Sequence, residues 1–385
     1  MTVDISPFRA MFIGRLAHKL KAEGRSIIHM EFGQPSTGAP AAAIAEAHRV
    51  LDREPGNYWE SPALLARIAR HYHDKHGVEM APAQVVLTCG ASPALVLALT
   101  MSFAPGDRVA LARPGYVSYR NTLRALHMEP VEIPCGPETR YQLTADLLER
   151  EAGPLAGVIV ASPANPTGSI IAKDELAAIA EVCRRRNLKI VSDEIYHGLS
   201  YGEPAHSMLE FEPRALVVNS FSKYFSMVGW RLGWLAGPAD LAERARAYMS
   251  NFYLTPPSLS QHAGLVAMDC EAELEGHIDT YRRNRELLLA ALPDLGLESI
   301  APPDGAFYVW AYIGHLTQDS MAFCEGLLRD TGVATAPGVD FDPVVGHEYM
   351  RFSFAESTPQ IEEAIRRLKP WFAARTAAAQ PAPTA

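Results

Sequence analysis

The chain has 385 residues, 48% of them hydrophobic and 21% charged, and its formal net charge is −9. The apolar share excludes a wholly disordered chain, since its burial can offset the entropy lost on folding, and the length favours two domains. The acidic balance excludes a general binder of nucleic acids or anionic membranes, which would present a basic face.

Seven short apolar runs alternate with helical segments through the first two thirds of the chain. Strands are predicted at residues 84–88, 108–112, 130–134, 157–161, 189–192, 215–219 and 232–236. Helices are predicted at 93–103 and 173–186, and the second has acidic residues at its start and arginines at its end, as the helix dipole favours. Unbroken apolar strands separated by helices predict a largely parallel sheet covered on both faces.

After Ser258 the pattern changes to one long helix, predicted to run to about Leu292, where Pro293 would end it. A strand at 305–310 and a closing helix at 358–373 follow. The predicted division is an N-terminal arm with part of a small domain (1–40), a large domain (41–275), a small C-terminal domain with a bridging helix (276–372) and a flexible tail (373–385).

The five cysteines lie far apart and form no C-x-x-C pair. An odd and sparse set predicts reduced thiols in the cytoplasm and no metal site. The N-terminal segment MTVDISPFRAMF lacks the apolar core of a secretory signal, and no apolar run has the length of a membrane span.

Four short clusters contain the side chains that could carry out chemistry. Three of them follow predicted strands, where α/β sheets bind ligands: NPTG (165–168), SDEIY (192–196) and SFSKYF (220–225). The fourth, Gly90-Ala91-Ser92, lies between a predicted strand and a predicted helix. Taken singly, each is also compatible with a plain loop, an N-cap, a surface lysine or an ordinary turn.

Together the four clusters match the requirements of one cofactor. A buried Lys223 would have a lowered pKa and could form a Schiff base, and Asp193 could pair with a cationic ring nitrogen. Arg231 and the two serines beside Lys223 are suitable phosphate ligands, and the small residues from Gly90 onward let backbone N–H groups approach an anion. These are the requirements of pyridoxal 5′-phosphate.

With NPTG, SDEIY, SFSK and then GWRLGW (229–234) in this order, the chain resembles the class I/II aminotransferases, pyridoxal-phosphate enzymes of fold type I, over roughly residues 5–371. The resemblance implies an α/β fold whose large domain has a mostly parallel seven-stranded sheet flanked by helices, beside a smaller α+β domain. It implies ping-pong transamination between an amino acid and a 2-oxo acid through pyridoxamine phosphate. It also implies a homodimer with shared active sites.

The resemblance assigns a role to each matched residue. Lys223 would hold the cofactor and shuttle the proton, Asp193 would pair with the pyridine nitrogen, and Tyr196 and Asn165 would bind the phenolate oxygen. The phosphate would be bound by Arg231, Ser220, Ser222, Gly90, Ala91 and Ser92. Tyr116 would stack on the ring, and Tyr58 would reach the phosphate from the neighbouring subunit.

Arg351, in MRFSF, matches the arginine that grips the substrate α-carboxylate, with Gly33 and Asn165 beside it. Relatives specific for dicarboxylates have a second cation where this chain has Ser92 or Ser250. A neutral or aromatic substrate side chain is therefore favoured, although Arg113 or Arg120 could supply a charge from elsewhere.

Two other functions stay open at this point. A β-eliminating carbon–sulfur lyase of the same fold would use the same lysine, aspartate and arginine. A non-catalytic effector domain would carry an additional DNA-binding helix-turn-helix, and no basic recognition helix precedes the matched region.

Overall fold

A computed structural model of the chain describes residues 5–53 and 56–379. Within them the helices are α1 Arg9–Ala22, α2 Ala41–Arg53, α3 Pro62–His76, α4 Ala91–Ser102, α5 Val117–Ala125, α6 Ala145–Arg150, α7 Lys173–Arg185, α8 Ala239–Phe252, α9 Ser258–Ala267, α10 Glu271–Ala291, α11 Ser320–Thr331 and α12 Thr358–Ala379. The strands are β1 Ile28–Met30, β2 Val85–Thr88, β3 Arg108–Arg113, β4 Glu129–Pro134, β5 Gly157–Ala161, β6 Lys189–Asp193, β7 Leu216–Ser220, β8 Gly233–Ala236, β9 Tyr308–Tyr312, β10 Val333–Pro337 and β11 Tyr349–Ser353.

The seven predicted strands form one sheet in the order β2-β8-β7-β6-β5-β3-β4. The pairs from β7 to β4 are parallel, and β8 runs antiparallel to both of its neighbours. Apolar side chains from alternate positions enter separate cores on the two faces, such as Leu87 and Trp234 on one and Val86 and Leu235 on the other. The predicted fold class is confirmed.

A second sheet joins the two ends of the chain. Its order is β1-β10-β11-β9, and the N-terminal β1 pairs in parallel with β10, Ile28 lying opposite Val333. This sheet has its own core, in which Ile13 and Leu20 of α1 pack against residues of α10, α11 and α12. Arg351, on β11, is carried by this sheet.

Three predicted boundaries are wrong. The long helix is broken, because main-chain N–H groups of Asp269 and Cys270 bond three residues back and α10 begins anew at Glu271 with acidic residues in its first turn. The strand predicted at 305–310 begins at Tyr308, since Ala306 has a φ of 54°. The closing helix extends past Ala373 to Ala379, with Pro370 inside it; the rest of the predicted tail, 380–385, lies outside the described residues.

Among the described helices, none combines the length and the apolar character that a membrane crossing would need.

Candidate active site

A cavity of about 270 Å³ lies at the carboxyl end of the large sheet. The parallel strands β5, β6 and β7 end there, and β2 runs in the same direction because two antiparallel pairings separate it from β7. The loops after these strands therefore converge. The predicted residues that line the cavity are Gly33, Ala91, Ser92, Tyr116, Asn165, Asp193, Tyr196, Ser222, Lys223, Arg231 and Arg351.

Lys223 extends into this cavity from the segment after β7. Its Nζ donates a hydrogen bond to the main-chain oxygen of Gly33 at 2.5 Å. Removal of water from the amine, together with the charges of Arg351 and Arg231, lowers the pKa of Lys223 to about 8, although the Asp193 carboxylate opposes the shift. A fraction of the amine is therefore neutral and nucleophilic near neutral pH.

Asp193 ends β6 and is buried beside the lysine. Its Oδ2 accepts a hydrogen bond from the Tyr119 hydroxyl at 2.6 Å, and its Oδ1 accepts one from the Ile195 N–H at 3.2 Å. Burial raises the pKa of Asp193, whereas the two donors and the Lys223 amine oppose the rise. A cation entering the cavity would offset the burial cost of this carboxylate and be held by it.

The hydroxyls of Tyr196 and Tyr308 lie 2.7 Å apart at the boundary between the two sheets. Burial raises the pKa of both phenols. Both are therefore neutral at pH 7, and the pair retains a hydroxyl hydrogen that can be donated to a group in the cavity.

Arg351 is almost completely buried, with an exposed fraction of 1%. Its Nη1 donates to Oδ1 of Asn165 at 2.7 Å, and its Nη2 donates to the main-chain oxygen of Glu31 at 2.5 Å. The guanidinium lies 4.3 Å from the centre of the Tyr308 ring and 4.7 Å from that of Phe341. Its Nε has no hydrogen-bond partner among the described residues. The result is a rigid, desolvated cation with spare donors that suit a carboxylate.

A second group of donors lies at the N-terminus of α4. Gly90 is the N-cap of this helix, and a Cβ at its φ of 99° would be strained and would meet the Arg231 guanidinium at 2.5 Å. Ser220 Oγ donates to Ser222 Oγ at 2.9 Å, and Arg231 donates to the main-chain oxygen of Cys89 at 3.0 Å. The N–H groups of the first helical turn, the Arg231 guanidinium and the Ser222 hydroxyl form an anion-binding corner, and Ser220 holds Ser222 in place.

Three predicted residues do not line the cavity. Gly90 lies against the Arg231 guanidinium, and Ser220 is hydrogen-bonded to Ser222, so both neighbour residues that do line the cavity. Tyr58 is 82% exposed, outside the cavity of its own chain.

Several residues of the site were missed by the sequence analysis. Tyr119 lies three positions after Tyr116, and their rings are in contact with centroids 5.5 Å apart, so their spacing is a signal that could have identified it. Tyr308, Phe8 and Phe32 also line the cavity. They carry no recognisable motif, because the packing of segments distant in sequence brings each of them to the cavity.

Gly33 is expected to tolerate no side chain. A Cβ at this position would overlap the hydroxyl of Tyr308, whose buried ring is held by Tyr196. We expect Gly33→Ala to lower the free energy of unfolding by about 1–3 kcal/mol, as overpacking does, and to reduce activity. Gly38→Ala is the matched control, since a Cβ at Gly38 has nothing within 4 Å. Equal denaturant midpoints for the two variants would contradict this prediction.

The residues present fit the three reactive parts of pyridoxal 5′-phosphate. The α4 N-terminus with Arg231 and the serine hydroxyls suits the phosphate, the buried carboxylate of Asp193 suits a protonated ring nitrogen, and the amine of Lys223 suits the aldehyde. Because residue 90 is a glycine, no Cβ occupies the space beside the Arg231 guanidinium.

Comparisons with known proteins agree with this chemistry. The family model for class I and II aminotransferases matches residues 26–368. The valine–pyruvate aminotransferase of Mycobacterium tuberculosis is 46% identical, covering 96% of this chain and 97% of that protein. The (5-formylfuran-3-yl)methyl phosphate transaminase of Methanocaldococcus jannaschii is 32% identical, covering 95% and 97%.

Solved structures give the same result. The crystal structure of an aminotransferase from Mycobacterium tuberculosis has a TM-score of 0.93 at 44% identity, covering 96% of this chain and 97% of that one. The aspartate aminotransferase of Thermus thermophilus with maleate has a TM-score of 0.88 at 29% identity, covering 95% and 97%. None of these relatives supports the carbon–sulfur lyase alternative.

Proposed function

The chain belongs to the class I and II aminotransferases, pyridoxal-phosphate enzymes that exchange amino groups between amino acids and 2-oxo acids, and from this premise we propose that its preferred amino acid has an uncharged side chain. The observation that carries the proposal is the position of the cations. Among the described residues that line the cavity, they are Lys223, Arg231 and Arg351.

Each of these three cations has a proposed partner already. Pyridoxal phosphate, when bound, supplies an aldehyde for the amino group and a ring that withdraws electrons from Cα. Lys223 would hold and move the Cα proton at its Nζ, and Arg231, with Ser220, Ser222 and the Gly90–Ser92 turn, would bind the phosphate. Arg351 would orient the α-carboxylate, with Gly33 and Asn165 beside it.

The other groups would tune the ring. Asp193 would hold a proton on the ring nitrogen, Tyr196 and Asn165 would bind the phenolate oxygen, and Tyr116 would stack on the ring face. Because Tyr196 is neutral at pH 7, its hydroxyl could donate to that oxygen. These roles follow from the donors and acceptors that face the cavity and from the family's motifs.

No cation is left over for a second substrate carboxylate among the described residues of the cavity. Arg113 lies 3.4 Å from the carboxylate of Asp342, and Arg120 pairs with Glu132 at 2.6 Å and donates to the Asp340 main chain. Neither arginine lines the cavity, and Phe8 and Phe32 contribute apolar surface there. An unpaired carboxylate among these rings would be costly to bury. The relative named as a valine–pyruvate aminotransferase is consistent with an aliphatic side chain.

A half-reaction screen tests this preference. The purified, cofactor-loaded enzyme is mixed with one amino acid and no oxo acid, and the loss of its visible absorption band is followed. We expect valine and other uncharged amino acids to react with a kcat/KM about 10²-fold above that for aspartate or glutamate. A rapid response to the two acidic amino acids alone would contradict the proposal, and pyruvate and ammonia from cystathionine without an oxo acid would favour the lyase.

We also propose that the enzyme is a cytoplasmic homodimer, in which Tyr58 contacts the phosphate bound by the partner. The large exposure of Tyr58, and of other large apolar side chains such as Leu51 and Leu254, supports a surface that a partner covers. The arm (1–40) and the segment 276–372 would form the small domain, and 41–275 the large one. Sedimentation of the loaded enzyme as a monomer would contradict the dimer.

A further inference from the structure

Glu194 and His197 lie on the turn after β6 that also carries Asp193 and Tyr196, and neither lines the active-site cavity. Both are buried, with exposed fractions of 1% and 8%. A carboxyl group and an imidazole at such depth require partners for all their polar atoms. Their hydrogen bonds therefore indicate which of their atoms carry hydrogen.

One oxygen of Glu194 is fully used. Its Oε1 accepts hydrogen bonds from the Ser192 hydroxyl at 3.0 Å, the Ser207 hydroxyl at 3.1 Å and the Met208 N–H at 2.9 Å. Its Oε2 has no hydrogen-bond partner in the described part of the chain. This oxygen faces Nδ1 of His197 at 3.5 Å, which is equally without a partner.

The other nitrogen of His197 settles which atoms carry hydrogen. Nε2 lies 3.0 Å from the main-chain oxygen of Ser162, and because a carbonyl only accepts, Nε2 must be the donor. In a neutral imidazole, Nδ1 then carries no hydrogen, and its lone pair faces Oε2 of Glu194. Without a hydrogen between them, two acceptors would oppose one another in a buried site.

We propose that Glu194 and His197 share one proton and act as positioning residues, fixing the loop that carries Asn165 against the turn that carries Asp193 and Tyr196. Ser162, which accepts from His197, is three residues before Asn165, and Asn165 holds Arg351. The pair therefore links the two strand-end loops whose side chains face the cavity from different strands. The positioning role rests on the proposed function; the shared proton does not.

Burial favours the proton on the carboxyl group at neutral pH. Burial raises the pKa of Glu194 to about 8, and burial holds the pKa of His197 well below its usual value. The ionisable groups that face the pair are His71, Tyr72 and His76 of α3, and His206 and Glu210 of the segment 206–210. Glu210 pairs with His76 and His206 rather than with this pair, at 3.2 and 3.0 Å.

The shared proton has a thermodynamic consequence. The folded pKa of Glu194 is raised, so between its usual carboxyl pKa and about 8 the folded chain binds a proton that the unfolded chain releases, and stability falls as pH rises. Glu194→Gln keeps an acceptor for the three donors and an N–H for His197 but cannot titrate. Relative to this variant, the wild-type unfolding constant should rise about tenfold per pH unit across that window.

Two measurements on the cofactor-loaded enzyme test the proton. The first compares denaturant unfolding of wild type and Glu194→Gln as a function of pH. The second is their infrared difference spectrum at about pH 7, which should show the carbonyl stretch of a protonated carboxylic acid in the wild type only. Parallel stability profiles, or a carboxylate signal in place of the acid, would overturn the shared proton.

Two histidine variants test the positioning. His197→Gln retains an N–H for Ser162, whereas His197→Phe keeps the ring volume and loses both nitrogens. We expect kcat/KM to fall about 10²-fold in the phenylalanine variant, because misplacement of reacting groups by about 1 Å has this effect, and to recover to within about tenfold of wild type in the glutamine variant. Wild-type kcat/KM in His197→Phe, or no recovery in a folded His197→Gln, would overturn the positioning role. If the wild type itself does not transaminate, the proposed function fails while the infrared and unfolding tests still decide the proton.

Discussion

Replacing Lys223 with alanine is expected to lower the transamination rate by about 10⁴-fold or more, since general acid–base catalysis alone contributes up to about that factor. The amine is held in the cavity by Gly33, and its pKa is lowered to about 8, so it can be deprotonated near neutral pH. No other described lysine lines the cavity and could replace it. The visible absorption of the lysine-bound cofactor should be lost as well.

Two further variants separate the possible reasons for such a loss. Lys223→Arg keeps a positive charge but cannot be deprotonated, so it should be as inactive as the alanine variant if Lys223 moves a proton. Lys369→Ala is the matched control, because Lys369 is a half-exposed residue of α12 that pairs with Asp294 and does not line the cavity. Turnover in Lys223→Ala equal to that of the control would remove the lysine from the mechanism.

The large sheet could be predicted because the sequences of its strands, taken alone, have the apolar pattern of buried strands. β5, for example, reads Gly-Val-Ile-Val-Ala and is buried on both faces, as a central parallel strand must be. The short β1 has no such signal: it has three residues, one of them His29, and becomes a strand only by pairing with β10, about three hundred residues later. Local composition cannot predict a pairing of this range.

The same distinction applies to the candidate site. Lys223 and Asp193 lie in compact motifs at the ends of strands, where the residue type and its position both indicate chemistry. Tyr308 has no motif: it contacts Arg351 because β9 pairs with β11, and it contacts Tyr196 because the two sheets meet. The use of the main-chain oxygen of Glu31 by Arg351 was likewise beyond sequence analysis, because a main-chain acceptor leaves no mark on residue type.

Arg351→Lys is expected to raise KM for both the amino acid and the oxo acid by about 10²- to 10³-fold. The substitution keeps a positive charge but removes the planar fork, and loss of a buried, hydrogen-bonded charge contact costs roughly 3–4 kcal/mol. The wild-type guanidinium is held in one orientation by Asn165, Glu31 and the rings of Tyr308 and Phe341, whereas a lysine ammonium would be a mobile point charge. Because the α-carboxylate is bound in the ground state and the transition state alike, kcat should change less than KM.

The cofactor spectrum distinguishes this effect from damage to the rest of the site. Among the described residues, the α4 N-terminus, Asp193 and Lys223 make no hydrogen bond to the Arg351 side chain, and lysine keeps the positive charge near Lys223, so Arg351→Lys should still bind the cofactor and retain its visible absorption band, shifted only through Asn165. Arg366→Lys serves as the control, since Arg366 is exposed and pairs with Glu363 on the same helix. An unchanged KM in Arg351→Lys would exclude Arg351 as the carboxylate-binding residue. Loss of the cofactor band together with activity would instead place Arg351 among the groups that hold the cofactor.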